Sequence, residues 1–436
     1  MFKIKRLSVV LTVVVLLAVL IVGGACGPQT PATTPTEPTT PSTPAAKPVT
    51  LYIGGGFALT GAYAEDMAAV LSGFEDYAKY VNETHKIAPW SNETFPENVT
   101  LEVLWRDDEL KPEKALAQYD ELRDKGIMVF RITGSPEALA LKDVLMEDNV
   151  GATTAATGAY LLTPPQTIFT NYPIYTDGGG AVGDWFMANW KEDRKPRFAY
   201  LTADMAAGKS VPIPELTDYL EGIGFEVVGE QYVPLVPTSP PTTQLTWLKE
   251  NGVDLTYGFM INPGSQPTIK EADRLGMGPG LDYDITFAFP TPAHLQVFVP
   301  AMGELGNGVV VAGGYAPWDD PGDGMTFIHE LQDKYRPDKP VTHIMYVDGV
   351  VEAMTQVEAL RLAMASGIPA DQLTAKDVLE KGFYQIKNMS TGGITNTPLT
   401  YGPGDIEGVD QIRIDQVQGG KIVKQGTYPV HHIYAK

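Results

Sequence analysis

The chain has 436 residues, 44% of them hydrophobic, with 53 acidic against 32 basic side chains and a formal net charge of −21 at pH 7. That length accommodates about two to three packed domains, and so acidic a body repels phosphate backbones and anionic lipid, which argues against nucleic-acid binding. The single cysteine, Cys26, excludes intramolecular disulfides and thiolate metal clusters.

Lys3, Lys5 and Arg6 precede an almost purely aliphatic run over 7–22, and Gly23, Gly24 and Ala25 lead into Cys26. As a straight helix the run reaches roughly 24 Å, short for a permanent crossing and suited to the core of a signal peptide. Small residues before a unique cysteine suit a signal peptidase. The pattern resembles a bacterial lipoprotein signal, whose cysteine thiol takes diacylglycerol. Gly23 stands where such signals usually carry Leu, and an ordinary secretory signal with an incidental cysteine is the alternative. The expectation is a signal peptide over 1–25 and an extended Pro/Thr-rich tether over 26–48. No later stretch is long and apolar enough to span a bilayer, so membrane contact is expected through the lipid anchor only.

The folded body opens with a predicted strand at 49–54, a loop to residue 63 and a helix at 66–83. Strands at 99–105, 127–132 and 150–154 alternate with helices at 112–125 and 137–147. The rhythm restarts with strands at 197–202, 225–232, 254–261 and 284–289, separated by helices at 213–223, 243–251 and 265–275. After an apolar segment at 308–312 come helices at 324–335, 343–364 and 374–382. Strands at 411–418 and 421–425 flank Gly419-Gly420, a hairpin signal. Short apolar strands alternating with longer helices predict an α/β fold of two lobes, each a mainly parallel sheet flanked by helices. The predicted division is lobe one at 49–176, lobe two at 177–312, lobe one again at 313–400, and a lobe-two hairpin at 401–436. Such sheets bind ligands beyond the carboxyl ends of their strands, which makes the loops there the candidate site.

Those loops carry Ala58-Leu59-Thr60-Gly61-Ala62-Tyr63 after the first strand, Arg106-Asp107-Asp108 after the second and Gly134-Ser135 after the third. Phe198 to Asp204 opens lobe two, and Tyr346-Val347-Asp348-Gly349 and Gly392-Gly393-Ile394-Thr395 follow later. In this order, over nearly the whole body, they resemble the leucine/isoleucine/valine-binding family of type I periplasmic binding proteins, the substrate receptors of ABC importers. The resemblance implies a periplasmic-binding-protein-like fold whose lobes close over a small amino-acid-like or carboxylate/amide solute. It places Ser135 and Thr154 or Thr157 on the ligand carboxylate, and Leu59, Thr60, Gly61 and Tyr63 on the lobe-one wall. Hydroxyls and loop amides hydrogen-bond an anion without a full opposing charge. Ser135 is equally suited to start a helix ahead of Pro136. Where the family carries an aromatic clamp, the chain has Ala207 in Asp204-Met205-Ala206-Ala207-Gly208. Aromatic surface is expected instead from Tyr172, Tyr175, Phe287 or Trp318, each equally suited to core packing. Asp204 and Asn262 complete the lobe-two candidates.

Enzymatic patterns are weaker. Ala203 to Ser210 fits a relaxed phosphate loop, but Pro212 and Pro214 interrupt the helix that would begin at Lys209. The six histidines form no His-Glu-x-x-His, and there is no Gly-x-Ser-x-Gly elbow. The expectation is a non-enzymatic, extracytoplasmic monomer with no cofactor or metal, partnered by a small solute and by ABC permease subunits in the membrane. A sensory receptor of the same fold and a secreted hydrolase or amidase are the competing readings.

Overall fold

The computed structural model describes residues 47–61, 63–162 and 167–435, without the side chains of residues 161, 162, 292 and 435. Cys26, the 1–25 segment and the tether up to residue 46 lie outside the described residues.

The first lobe is built on β1 (Val49–Phe57), β2 (Val99–Asp107), β3 (Val129–Ile132), β4 (Gly151–Thr154) and β5 (Ile168–Phe169), in the sheet order β2-β1-β3-β4-β5. Every pairing is parallel. Parallel neighbours cannot be joined by a tight turn, and α1 (Ala64–Thr84), α2 (Pro112–Asp124) and α3 (Ser135–Asp148) supply the crossovers.

The second lobe begins with α4 (Tyr175–Asn189), β6 (Arg197–Ala203), α5 (Ala206–Lys209), α6 (Pro214–Ile223), β7 (Glu226–Val233) and α7 (Thr242–Glu250). It continues through β8 (Leu255–Tyr257), α8 (Asn262–Arg274), β9 (Thr286–Pro290), α9 (Leu295–Met302) and β10 (Val310–Gly313). The chain then returns to the first core with α10 (Asp323–Tyr335), α11 (Ile344–Ala365) and α12 (Ala375–Lys381). Finally β11 (Gln411–Gln418) and β12 (Lys421–Pro429) complete a seven-stranded sheet in the order β12-β11-β10-β9-β8-β6-β7. β11 runs antiparallel to both its neighbours; the other pairings are parallel.

α11 is buried on all sides over its first four turns, because the sheet covers one face and α1 another. Gly73 and Gly349 let the two helices touch: a Cβ on Gly349 would stand 2.0 Å from the Val70 carbonyl oxygen, and one on Gly73 2.4 Å from that of Tyr346. Two of its polar side chains, Glu352 and Gln356, reach the sheet. Gln356 accepts the Gly54 N–H at 2.9 Å and donates to Thr153 Oγ1 at 3.1 Å, tying β1 to β4. Arg131, fully buried on β3, meets Glu352 at 3.4 Å and donates to the Gly56 carbonyl at 3.2 Å.

Three crossing segments join the lobes and are sewn to one another. Thr170 donates its N–H to the Ile406 carbonyl and Gly408 donates to that of Thr170, both at 2.9 Å, while Ala316 donates to Ile394 at 2.8 Å. Tyr401 donates its hydroxyl to Asn171 Oδ1 at 2.5 Å. The last crossing corrects the predicted division: Tyr401, Ile406 and Val409 pack in the first core, so the lobe-two portion begins near β11 and not at residue 401. Likewise Tyr175 belongs to the second core and Gly313 to the second sheet.

α4 is a helix the sequence reading omits, and its glycines explain why. Gly178, Gly179 and Gly180 score poorly as helix formers, yet Cβ atoms there would meet Tyr257 Oη at 2.5 Å, Leu216 Cδ2 at 2.9 Å and Ile433 Cδ1 at 2.5 Å. Close packing against lobe two outweighs local propensity.

Candidate functional site

Between the carboxyl ends of the two sheets lies a cavity of roughly 730 Å³ counting its open mouth. The walls differ in chemistry. Lobe one supplies hydroxyls and a helix end. Lobe two supplies mostly apolar surface.

On lobe one, the amino end of α3 borders the cavity through Gly134, Ser135 and Pro136. Pro in the first helical turn costs nothing, since its missing N–H would have no intrahelical partner. The free N–H groups of that turn carry partial positive charge, and Ser135 adds a buried hydroxyl. Thr157 lines the same corner, and its carbonyl accepts the Tyr175 N–H at 2.9 Å. Beneath this corner Glu137 is fully buried, and burial pushes its carboxyl up to about 7.

Among the described residues, Asp66 in the first turn of α1 is the one acidic side chain of the lining, and no Lys or Arg lines it. His343 Nε2 lies 3.3 Å from Asp66 Oδ1. The other ring nitrogen of His343 accepts the Met345 N–H at 3.2 Å, capping α11. Burial raises the Asp66 carboxyl, and His343 opposes that rise.

On lobe two, Met205 follows β6, and Phe259 and Ile261 follow β8. Phe259 packs against Tyr175 with ring centroids 5.1 Å apart. After β9 come Pro290, Thr291 and His294. Thr291 spends its hydroxyl on the Ala312 carbonyl at 3.0 Å. Burial, with a smaller push from His343, drives the His294 imidazole down to about 3, so it is neutral at ordinary pH.

Five of the expected site residues converge on the cavity: Tyr63, Ser135, Thr157, Tyr172 and Tyr175. The others do not line it. Thr154 donates to the Ile132 carbonyl at 3.1 Å and accepts the Ala156 N–H at 3.0 Å, so it shapes the turn that presents Thr157. Thr60 Oγ1 donates to Asp107 Oδ2 at 2.6 Å, Asp107 Oδ1 accepts the Leu59 N–H at 3.0 Å, and Gly61 turns outward with φ of 94°. Asp204 is exposed and pairs with Lys209 at 2.6 Å, which also leaves that lysine on the surface instead of over a phosphate loop. Asn262 donates to the His294 carbonyl at 3.4 Å and so braces the loop that carries the imidazole. Phe287 belongs to the second lobe's core, and Trp318 packs on the first core beside His329. The reading misses Asp66, Met205, Phe259, Ile261 and His294. Met205 and Phe259 each lie within two residues of a strand's carboxyl end, so the strand-end rule could have found them.

Among the described residues no group of His, Cys, Asp and Glu is placed to hold a metal ion, and no helix is long and apolar enough to cross a membrane.

Two lobes on mainly parallel sheets, three crossings and an interlobe cavity at the strand ends define a cleft-type binding protein. The family model described as periplasmic binding protein matches residues 50–421, and the chain belongs to that family. No curated protein sequence matches it. Solved structures share the fold. A branched-chain amino acid ABC transporter protein from Thermus thermophilus with bound valine is 18% identical, with 89% of this chain and 98% of that one covered at a TM-score of 0.76. A fatty acid ABC transporter substrate-binding protein from Thermomonospora curvata is 20% identical, with 89% and 96% covered at 0.72. A solute-binding protein of an ABC transporter from Rhodopseudomonas palustris BisB5, in complex with 3,4-dihydroxybenzoic acid, is 20% identical, with 87% and 98% covered at 0.67.

Proposed function

We propose that the chain is the extracytoplasmic solute receptor of an ABC importer, and that it binds a small carboxylate- or amide-bearing solute between its lobes. The observation that carries this reading is the cavity itself, lined by Ser135 and Thr157 from one lobe and by Met205, Phe259 and His294 from the other. A solute touching both walls favours the closed arrangement over the open one by its differential affinity, and the permease subunits recognise that arrangement. No bond chemistry is required. Hydroxyls and the α3 amino end suit an anionic group, and the apolar opposite wall suits an aliphatic or aromatic body. The relatives bound to valine and to 3,4-dihydroxybenzoic acid, and the one named for fatty acids, all concern ligands that carry a carboxyl group. In this reading residues 1–25 are the secretion signal, Cys26 takes the lipid, and 26–48 tether a monomeric body to the membrane surface.

A thermal-shift screen of small carboxylates and amides tests the proposal. A solute at a hundred times its Kd adds about 2.7 kcal/mol of stability, visible as a raised Tm. Ser135→Ala should weaken a carboxylate ligand about tenfold, the worth of one charge-assisted hydrogen bond. A screen in which no solute raises Tm, while an ester or amide is turned over, would sink the receptor reading.

A further inference from the structure

On the lobe-two wall, the main chain of His294 is fixed from two sides while its ring is left without a partner. Its N–H donates to the Thr291 carbonyl at 2.8 Å, and its carbonyl accepts from Asn262 Nδ2 at 3.4 Å. The side chain is 9% exposed and lines the interlobe cavity. Yet among the described residues neither ring nitrogen makes a hydrogen bond. The narrower space on its other side, toward Tyr315 and Ile344, fills neither nitrogen, and Asp415 there is held by Arg413 at 2.8 Å. Buried polar groups in native folds are hydrogen-bonded, and one left open toward a cavity calls for a partner from outside the chain.

The neighbours decide which partner fits. The other side chains that the loops after β6, β8 and β9 bring to the cavity are Met205, Phe259, Ile261, Pro290 and Thr291. Thr291 has committed its one hydroxyl proton to the Ala312 carbonyl. No acid stands among them to stabilise an imidazolium, and burial keeps the ring neutral. A neutral imidazole offers one N–H donor and one bare nitrogen acceptor. A hydroxyl meets either nitrogen, because its single oxygen both donates and accepts. A ligand ammonium would be desolvated against an apolar wall. A ligand carboxylate is better placed across the cavity, where the first N–H groups of α3 carry partial positive charge.

Resting on the solute-receptor reading, we infer that His294 is a specificity-determining residue that hydrogen-bonds a hydroxyl at the far end of the solute. With the carboxylate at the α3 amino end, as in that reading, the class is a hydroxylated carboxylic acid. Its aliphatic or aromatic body lies against Met205 and Phe259.

The test uses three pairs of acids that differ only in the distal hydroxyl: benzoate and 4-hydroxybenzoate, 3-phenylpropanoate and 3-(4-hydroxyphenyl)propanoate, hexanoate and 6-hydroxyhexanoate. Titration calorimetry on the purified protein should show, in at least one pair, the hydroxylated acid binding about tenfold or more tightly, because its partner leaves the imidazole unpaired in the closed cleft. His294→Phe keeps a planar ring and removes both nitrogens, and it should collapse that ratio to within about twofold. His294→Gln retains a donor and an acceptor and should keep a preference of about threefold or more. A ring that serves packing alone would shift both members of a pair together and leave their ratio as in the wild type. Melting curves of the ligand-free variants show that they fold. Hydroxylated acids that bind no more tightly than their partners, or a preference that survives His294→Phe, overturn the His294 assignment and leave the receptor reading standing. Failure of all six acids to bind overturns the assignment together with the small-carboxylate reading beneath it.

Discussion

His294 offers a stability measurement that needs no ligand. Its imidazole is 9% exposed and is held neutral by burial, with a pKa near 3 against an ordinary 6.5. The groups that bear on it are His343 across the cleft and, beyond that ring, Asp66. The folded-state pKa lies below the unfolded one, so the contribution to stability is complete above pH 6.5 and is lost as pH falls toward 3. Each unit of pH in that window costs about 1.4 kcal/mol, because the unfolded chain takes up a proton that the folded one refuses. Between pH 7.5 and 5.0 the loss works out at about 2 kcal/mol, after allowing for the fraction already protonated at the upper end. His294→Gln keeps the shape and hydrogen-bonding capacity but does not titrate. Urea denaturation of both proteins at both pH values gives a double difference in which the other titrating groups cancel. The wild type should lose about 2 kcal/mol more than the variant. Parallel losses, with a double difference below about 0.5 kcal/mol, would refute the buried-imidazole account.

Three further outcomes follow from the packing and the buried charges. Gly349→Ala, which drives a Cβ to 2.0 Å from the Val70 carbonyl oxygen, should destabilise the protein by about 3 kcal/mol or more, whereas Gly222→Ala on α6, with open space around it, should be neutral or mildly stabilising by chemical denaturation. Arg131→Met should cost about 1–3 kcal/mol, because it takes the guanidinium donor from the Glu352 carboxyl and the Gly56 carbonyl, both buried. Glu352→Gln should behave oppositely. Burial holds that carboxyl well above the usual range, more than Arg131 pulls it down, so its contribution is lost as pH rises. The Gln variant should therefore match or exceed the wild type at pH 8 and lose its advantage by pH 5, as read from Tm.

The alternation of strands and helices was legible because a parallel sheet must place a crossover between neighbours, and each crossover leaves its own period in the sequence. Where an apolar run serves two purposes the reading blurs. The stretch 254–261 reads as one strand, yet β8 ends at Tyr257. Beyond it Gly258 passes so close to Leu201 that a Cβ would stand 2.2 Å from its carbonyl oxygen, and Phe259 and Ile261 go on to wall the cavity. On the lobe-one wall of the cavity, Tyr63, Ser135 and Thr157 were candidates through the family resemblance, and the structure brings all three to the lining. The lobe-two wall was not legible in this way. Asp204 was a candidate because it opens the loop that matches the family's aromatic-clamp segment, but the loop turns that side chain to solvent and presents Met205 instead. Phe287 lies on a central strand whose successive side chains enter opposite cores, so it packs inside lobe two, with Ala288 in the other core. His294 sits in an irregular turn before α9 that no periodicity announces.

The interleaving of the two lobes along the chain has a consequence for how the protein is made. α1 finds its partner only when α11 has been synthesised, and β10 has an open edge until β11 arrives near the carboxyl terminus. Neither core can close around a growing amino-terminal half, so folding waits for almost the whole polypeptide and proceeds through distant contacts, the slow regime for a chain of this size. A chain cut short near residue 400 would leave β10 as an exposed, apolar edge strand, a template for aggregation. The β11–β12 hairpin thus guards the fold against a truncated chain, although no described residue of it lines the cavity.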